Sequence, residues 1–204
     1  MAGFDALRLK SVLVNACRTA FAEVRASHKG ESFYCMGLFT SGLFGYLVPT
    51  AMTEEGLDRV VREYQADPAY ANEPPGRLRF SLRWSTCDSP LHLEGASHFD
   101  EVNVLMAEVS EAFSAIDIDH GWGEFEDFAR RIETLICEVL TLVDQEGVFG
   151  VGKEREGIFV TMLMGDQDDS ILTIGRRLNP PATVKRFENE WRAWCDFCES
   201  ESER

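Results

Sequence analysis

The sequence predicts an α+β fold: a single domain in which a small, mostly antiparallel sheet packs against several amphipathic helices. Three observations lead there. Helical spacing of apolar residues recurs over long stretches, most clearly at Phe125, Phe128, Ile132, Leu135, Ile136, Val139, Leu140 and Val143. Short aromatic and apolar runs of strand length, such as FYCMGLFT (33–40), are bounded by turn residues. The two kinds of element succeed one another without the strand-helix alternation of a doubly wound sheet.

The chain is 204 residues long, 45% hydrophobic and 27% charged. A chain of this size buries about 70% of its unfolded surface without staples. One domain is therefore expected over 1–198, followed by a charged tail at 199–204. Disordered, collagen-like and disulfide-scaffold classes are excluded.

The elements follow in order. Leu7, Leu13, Cys17, Ala20, Phe21 and Val24 recur at helical spacing over 4–27, and His28-Lys29-Gly30 supplies a stop. FYCMGLFT (33–40), the turn Ser41-Gly42 and LFGYLVPT (43–50) predict an antiparallel hairpin, with Pro49 at an edge or a strand end. Thr53 before Glu54 and Glu55 reads as a helix N-cap with acids at the positive end of the dipole, and Leu57, Val60, Val61 and Tyr64 form the buried stripe. Pro68, Pro74, Pro75 and Gly76 mark a loop. LRFSLRW (78–84) alternates cleanly and predicts a half-buried strand with Arg79 and Arg83 on its polar face. There the two arginines are expected to pair with carboxylates.

Ser97 and Asp100 open a helix carrying Phe99, Val102, Leu105, Met106, Val109 and Phe113 inward, and a second long helix occupies about 123–145. Val148 to Val151 and Gly157 to Met164 predict two strands around the turn KERE (153–156). Asp168 and Asp169 cap a short helix ending at Leu178. Asn179-Pro180-Pro181 then separates it from a last helix with Val184, Phe187, Trp191 and Trp194.

Charge is the most informative part of the composition. The net value is −15, and residues 94–146 hold fourteen acids against Arg130 and Arg131, so most of the excess lies in a quarter of the chain. Such a field repels nucleic acid and anionic membrane, both of which need Lys and Arg to displace counterions. It attracts a basic protein or a metal ion, or simply keeps the chain dissolved. No stretch reaches the roughly 20 apolar residues of a membrane span. MAGFDALRLK does not read as a secretory signal, and the expected compartment is the cytoplasm. Six scattered cysteines fit reduced thiols.

Catalytic patterns are scarce in the sequence. His28, His92, His98 and His120 stand in no metal-ligand spacing. Cys195 and Cys198 form a CxxC, but with no second close pair and outside the strand context of a redox motif. The stretch 117–124 superficially resembles a calcium loop, yet Trp122 and Phe128 occupy the positions that need Gly and Glu. Asp166, Asp168 and Asp169 could bind a divalent ion, although capping of the following helix already explains them. Gly147, Gly150 and Gly152 lack the context of a dinucleotide fingerprint. No catalytic residue, cofactor or metal is expected.

The opening helix with Ala20-Phe21, the segment Phe33-Tyr34-x-x-Gly37-Leu38-Phe39-Thr40, Pro49 followed by Thr53-Glu54-Glu55-x-Leu57, then Leu82-Arg83-Trp84-Ser85 and Leu178-Asn179-Pro180 together resemble a bacterial family, the domain of unknown function 4303, over roughly 5–190. The resemblance implies a cytoplasmic α+β protein and carries over no catalytic residue. Acidic single-domain families of this kind resemble immunity partners of secreted toxins, an association at the level of fold.

The functional expectation is an acidic cytosolic binding protein, an immunity-type protein that neutralises a basic toxin, most concretely a nuclease, by occlusion. Asp117, Asp119, Glu124, Glu126 and Asp127 are the expected contact residues, with Trp122 as an aromatic anchor. Two alternatives stand beside it. One is a metal-assisted hydrolase using His92, His98 or His120, and the other is a non-catalytic regulatory subunit whose acids serve solubility. The amphipathic stripes leave the oligomeric state open.

Overall fold

A computed structural model describes residues 4–41, 44–116, 118–164 and 170–202, without the side chains of 118–120, 170 and 198–202. The elements are α1 (Ala6–Ser27), β1 (Phe33–Thr40), β2 (Leu47–Thr53), α2 (Glu54–Ala66), α3 (Pro75–Leu82), α4 (Asp100–Ser114), α5 (Ile118–Gln145), α6 (Lys153–Gly157), β3 (Phe159–Met164), α7 (Ser170–Leu178) and α8 (Pro181–Ser202). The fold is α+β, as the residues predict. Short 3-10 turns at Thr86–Asp88 and Ala96–Phe99 carry the chain between α3 and α4.

The sheet runs in the order β2-β1-β3 and is mixed, which corrects the expectation of a mostly antiparallel one. β1 pairs antiparallel with β2 and parallel with β3, Cys35 facing Phe159 and Thr40 facing Met164. Both faces of the sheet are covered. Met36, Leu38, Leu47, Ala51, Val160 and Met162 point into a core shared with α1, α4 and α5. Cys35, Phe39, Val48, Met52, Phe159 and Leu163 point into a second, aromatic core with Trp84, Phe187 and Trp191. Strands buried on two faces read as unbroken apolar runs rather than alternations, and 33–40 and 158–164 have that character.

Three local expectations are overturned. LRFSLRW (78–84) is mostly helix, not strand: Pro75 sits in the first turn of α3, and Leu78 and Leu82, one turn apart, are the buried pair. They pack with Leu57, Val60 and Val61 of α2. Alternation at 78, 80, 82 and 84 contains the four-residue spacing of a helix, and the proline decides between the two. Val148 to Val151 is not a strand, since Gly147, Gly150 and Gly152 all adopt positive φ, and KERE is the short helix α6. The hairpin connection extends past Ser41-Gly42, because Phe44 turns with φ 51 to bury its ring against Phe113 and extended chain resumes only at Leu47.

Other expectations hold. Thr53 caps α2 by accepting the Gly56 N–H at 2.9 Å. Pro49 lies within edge strand β2, where its nitrogen faces away from β1. That outer edge is occupied along its length: Asn103 Oδ1 accepts from Leu47 N, Leu93 N donates to Pro49 O, and Ser89 Oγ donates to Ala51 O. One boundary differs: α8 continues to Ser202, past the expected start of the tail at 199. Asp166, Asp168 and Asp169 lie outside the described residues.

Candidate protein-docking site

α1 and α5 lie side by side and run parallel, a relation fixed by two ion pairs with one offset. Lys10 Nζ donates to Glu138 at 2.6 Å and Arg18 Nε to Glu146 at 2.7 Å, each across 128 residues. These pairs, with Arg8 on Glu101, His28 on Glu94 and Arg155 on Asp144, neutralise much of the charge of 94–146. The sequence excess therefore overstates the field on most of the folded surface. Glu108 and Glu111 of α4, and Glu124 and Glu126 of α5, are exposed and form no ion pair among the described residues. Asp100 at the start of α4 is likewise exposed without an ion pair among the described residues, and the other four lie on the second half of α4 and the first turns of α5, about the corner where α4 gives way to α5.

That corner is built on phenylalanines. Phe113 near the end of α4 meets Phe125 at 4.2 Å and Phe128 at 5.4 Å, drawing the last turn of α4 onto the first turns of α5. The backbone of Gly121 departs from helical values, with φ −126 and ψ 28. Just beyond it, Trp122 stacks on Phe125 at 5.3 Å with 17° between the rings, yet remains 57% exposed. Glu124, Glu126 and Asp127 are exposed beside it, Asp127 holding Arg130 at 2.7 Å. Asp117, and the side chain of Asp119, lie outside the described residues. Four of the six expected contact residues thus share the first turns of one helix. Carboxylates there also favour the positive end of the α5 dipole, so their placement serves the helix as well as any ligand.

The histidines whose side chains are described do not assemble. His28 contacts Glu31 and Glu94, His98 contacts Glu23, and His92 stacks edge-on against Phe39 at 5.1 Å with its pKa lowered by burial. The side chain of His120 lies outside the described residues, as does that of Cys198. Cys17, Cys35 and Cys137 are buried free thiols, and burial pushes the Cys35 thiol up to about 12. Among the described residues no cluster of three or more His, Cys, Asp or Glu side chains could hold a metal ion.

Two polar networks were not read from the sequence as units. In the first, Glu31 accepts from Thr53 Oγ1 at 2.5 Å and Arg59 Nη1 at 2.8 Å, and His28 bridges Glu31 and Glu94 at 3.2 and 2.7 Å. Burial alone would raise the Glu31 pKa, but the hydrogen bonds from Arg59, Thr53 and His28 outweigh it and hold the carboxyl at about 2. Burial likewise opposes the charge of His28, and its two carboxylate partners overcome that and raise its pKa. In the second, Arg83 holds Glu54 through two bonds of 3.0 Å and Glu190 through one of 2.9 Å. Its guanidinium lies 4.3 Å over the Tyr34 ring, and Tyr34 Oη donates to Arg83 O at 2.6 Å. Arg79 joins through Glu54 and Asp58. The expected pairing of Arg79 and Arg83 with carboxylates holds, on a helical spacing.

No described helix is long and apolar enough to cross a membrane. A family model described as a domain of unknown function (DUF4303) matches residues 13–180. No curated protein and no solved structure matches the chain.

Proposed function

Because the chain belongs to the domain of unknown function 4303 family, which is defined without an activity, we propose its function from the site alone. The protein captures a basic protein partner at the α4–α5 corner, as an immunity-type protein that covers the cationic cleft of a nuclease toxin. Such a role places it in the cytoplasm.

The supporting observation is Trp122, a large aromatic side chain left 57% exposed, braced by Phe125 and set beside the exposed acids Glu124 and Glu126. Tryptophan is enriched among the few residues that dominate binding energy, and a rigid stacked ring loses little freedom on docking. The surrounding carboxylates steer a cationic surface toward it and set a salt-dependent association rate. Pairing of several acids elsewhere, among them Glu101, Glu138 and Glu146, leaves this corner with unpaired carboxylates beside an exposed tryptophan.

The test is affinity capture from a lysate of the native organism, loaded at low salt and eluted by a salt gradient. It is run in parallel with Trp122→Ala and with charge reversal at Asp117, Asp119, Glu126 and Asp127. A stoichiometric basic protein held by the wild type, released as salt rises and lost from both variants is the expected result. Equal retention by the variants, or no stoichiometric protein on the wild type, overturns the reading.

A further inference from the structure

A groove of about 550 Å³, open to solvent, lies between the N-terminal half of α1 and the middle of α5. The two ion pairs that align these helices share an offset of 128 residues, and the same offset sets Leu7 opposite Leu135 as apolar walls, with Phe4 and Ala6 beside them. Leu7 is 83% exposed, although the next apolar residues of the helix, Leu9 and Leu13, are fully buried. One turn further along, the Lys10–Glu138 pair, closed at 2.6 Å, bars one end of the groove. Toward the other end, one turn before Leu135, stands Arg131, which is exposed and forms no ion pair among the described residues. The other two rim charges, Arg130 and Asp127, hold each other at 2.7 Å.

We propose that this groove binds a small amphiphilic carboxylate, a medium-chain fatty acid, with its apolar body on Leu7 and Leu135 and its carboxylate on Arg131. Charge selects the head group. Lys10 and Arg130 already neutralise Glu138 and Asp127, so Arg131 is the groove-lining charge left without a counter-ion among the described residues. A guanidinium takes a carboxylate through two parallel N–H bonds. Length selects the body. Arg131 and Glu138 are seven residues apart on α5, so the bar stands about 10 Å from the arginine along the helix axis. An apolar chain of medium length fills that interval and covers the exposed Leu7. The volume lies within the roughly 300–1,000 Å³ of small-molecule sites. A monoanion also suits the rest of the molecule better than an acidic protein does. Many carboxylates approaching together meet the repulsion of a net −15, whereas a single one seated in the rim responds to Arg131, since charges beyond about 8 Å are screened at physiological salt. The proposal does not depend on the docking role of the α4–α5 corner.

Titration of the purified, isotopically labelled full chain with octanoate, followed by amide NMR, tests it. The expected result is saturable shifts confined to the segments that line the groove, around 4–10 and 127–138. Acetate, which lacks the body, and octanol, which lacks the charge, should each bind more weakly than octanoate. Arg131→Gln should raise the octanoate dissociation constant about tenfold or more, the scale of one charge-assisted hydrogen bond. Leu7→Asp, which puts a like charge on the apolar wall, should do the same. Both positions are exposed, and an acid in the first turn of α1 suits the helix dipole, so the variants keep the native circular dichroism and melting curve. Val151→Asp, at another exposed apolar position outside the groove, should bind octanoate as the wild type does. The absence of saturable shifts into the tens of millimolar overturns the proposal. So do shifts that Arg131→Gln and Leu7→Asp leave unchanged, and so does acetate or octanol binding as tightly as octanoate.

Discussion

The side chain of Asn179 pairs with the backbone of Val160 as a neighbouring strand would: its Oδ1 accepts from Val160 N at 2.8 Å and its Nδ2 donates to Val160 O at 2.6 Å. Nδ2 also donates to Gly175 O, and Oδ1 receives the Arg155 guanidinium at 3.2 Å. One amide satisfies the outer edge of β3 at Val160, ends α7 and helps hold a buried arginine. Asn179→Ala is expected to lose about 2–3 kcal/mol, since net hydrogen bonds contribute about 1 kcal/mol each and the stranded buried groups add their own penalty. Asn179→Asp, which keeps the acceptor and loses both donated bonds, should fall between. Urea unfolding of the three proteins measures the order.

Gly37 leaves no room for a side chain. A Cβ built there would stand 1.8 Å from the backbone oxygen of Thr161, its partner in β3. The obstacle is main chain, so relief requires β3 to move away from β1. Gly37→Ala is expected to cost at least the roughly 1–3 kcal/mol of core overpacking, with lost strand pairing added to it. Hydrogen exchange should lose protection first in β1 and β3, while β2 and α2 retain theirs. Unchanged protection in β3 would refute this account.

The His28 and Glu31 network makes stability depend on pH at both ends. The His28 pKa is raised above 6.5, so its contribution is fully present below 6.5 and fades as pH rises through the folded value. Glu31 is lowered from 4.5 to about 2, so its contribution is present above 4.5 and is lost as pH falls toward 2. The destabilisation caused by His28→Gln should therefore shrink as pH rises through neutrality, and that of Glu31→Gln should shrink in acid. Proton NMR titration of His28 should give a midpoint above 6.5 that drops in Glu94→Gln. A midpoint at or below 6.5 in the native protein contradicts the assigned contacts.

Thiol reactivity should sort by burial. Cys17 and Cys35 are buried, and desolvation raises both pKa values, so neither presents thiolate to a reagent in the folded protein. Cys87 is exposed. Brief treatment with iodoacetamide and peptide mapping should label Cys87 and spare Cys17 and Cys35, which become reactive only in denaturant. Early labelling of Cys35 would mean that the sheet opens locally.

Much of the architecture was legible in the residues because most elements carry one dominant signal. The stripes of α1, α4 and α5 have one buried face each, and Thr53 with Glu54 and Glu55 announces the start of α2. The misreadings come from segments where two signals coincide. Leu78, Phe80, Leu82 and Trp84 satisfy both a period of two and one of four, and only Pro75 at the start of α3 separates them. The sequence predicts a hairpin partner for β3 at 148–151 because a run buried on both faces does not say whether its neighbour is adjacent in sequence. The positive φ of Gly147, Gly150 and Gly152 rules that neighbour out, and glycine identity alone hints at it.

The acidic corner was visible in composition, but its limits were not. Arg8, Lys10 and Arg18 look like ordinary surface bases until α1 lies along α5 and ties them to Glu101, Glu138 and Glu146. The Glu31 and Arg83 networks join residues from four or more separate segments, and no local pattern marks such a meeting. The spacing of Arg79 and Arg83 places them on one face in either conformation, and their partners follow once that face is helical.

The sheet topology bears on how the chain is made. β1 and β2 are adjacent in sequence and can pair as soon as both leave the ribosome, but the parallel partner of Cys35 is Phe159, about 120 residues later. At synthesis rates of roughly 5–20 residues per second, the second edge of β1 waits about 6–25 s for its strand. During that interval a row of unpaired amides and carbonyls, flanked by the apolar side chains of 33–40, is available to any other nascent chain. Completion of the sheet is thus a late event in biosynthesis, and yield in the cell should respond to translation speed and chaperone supply more than to the stability of the finished fold.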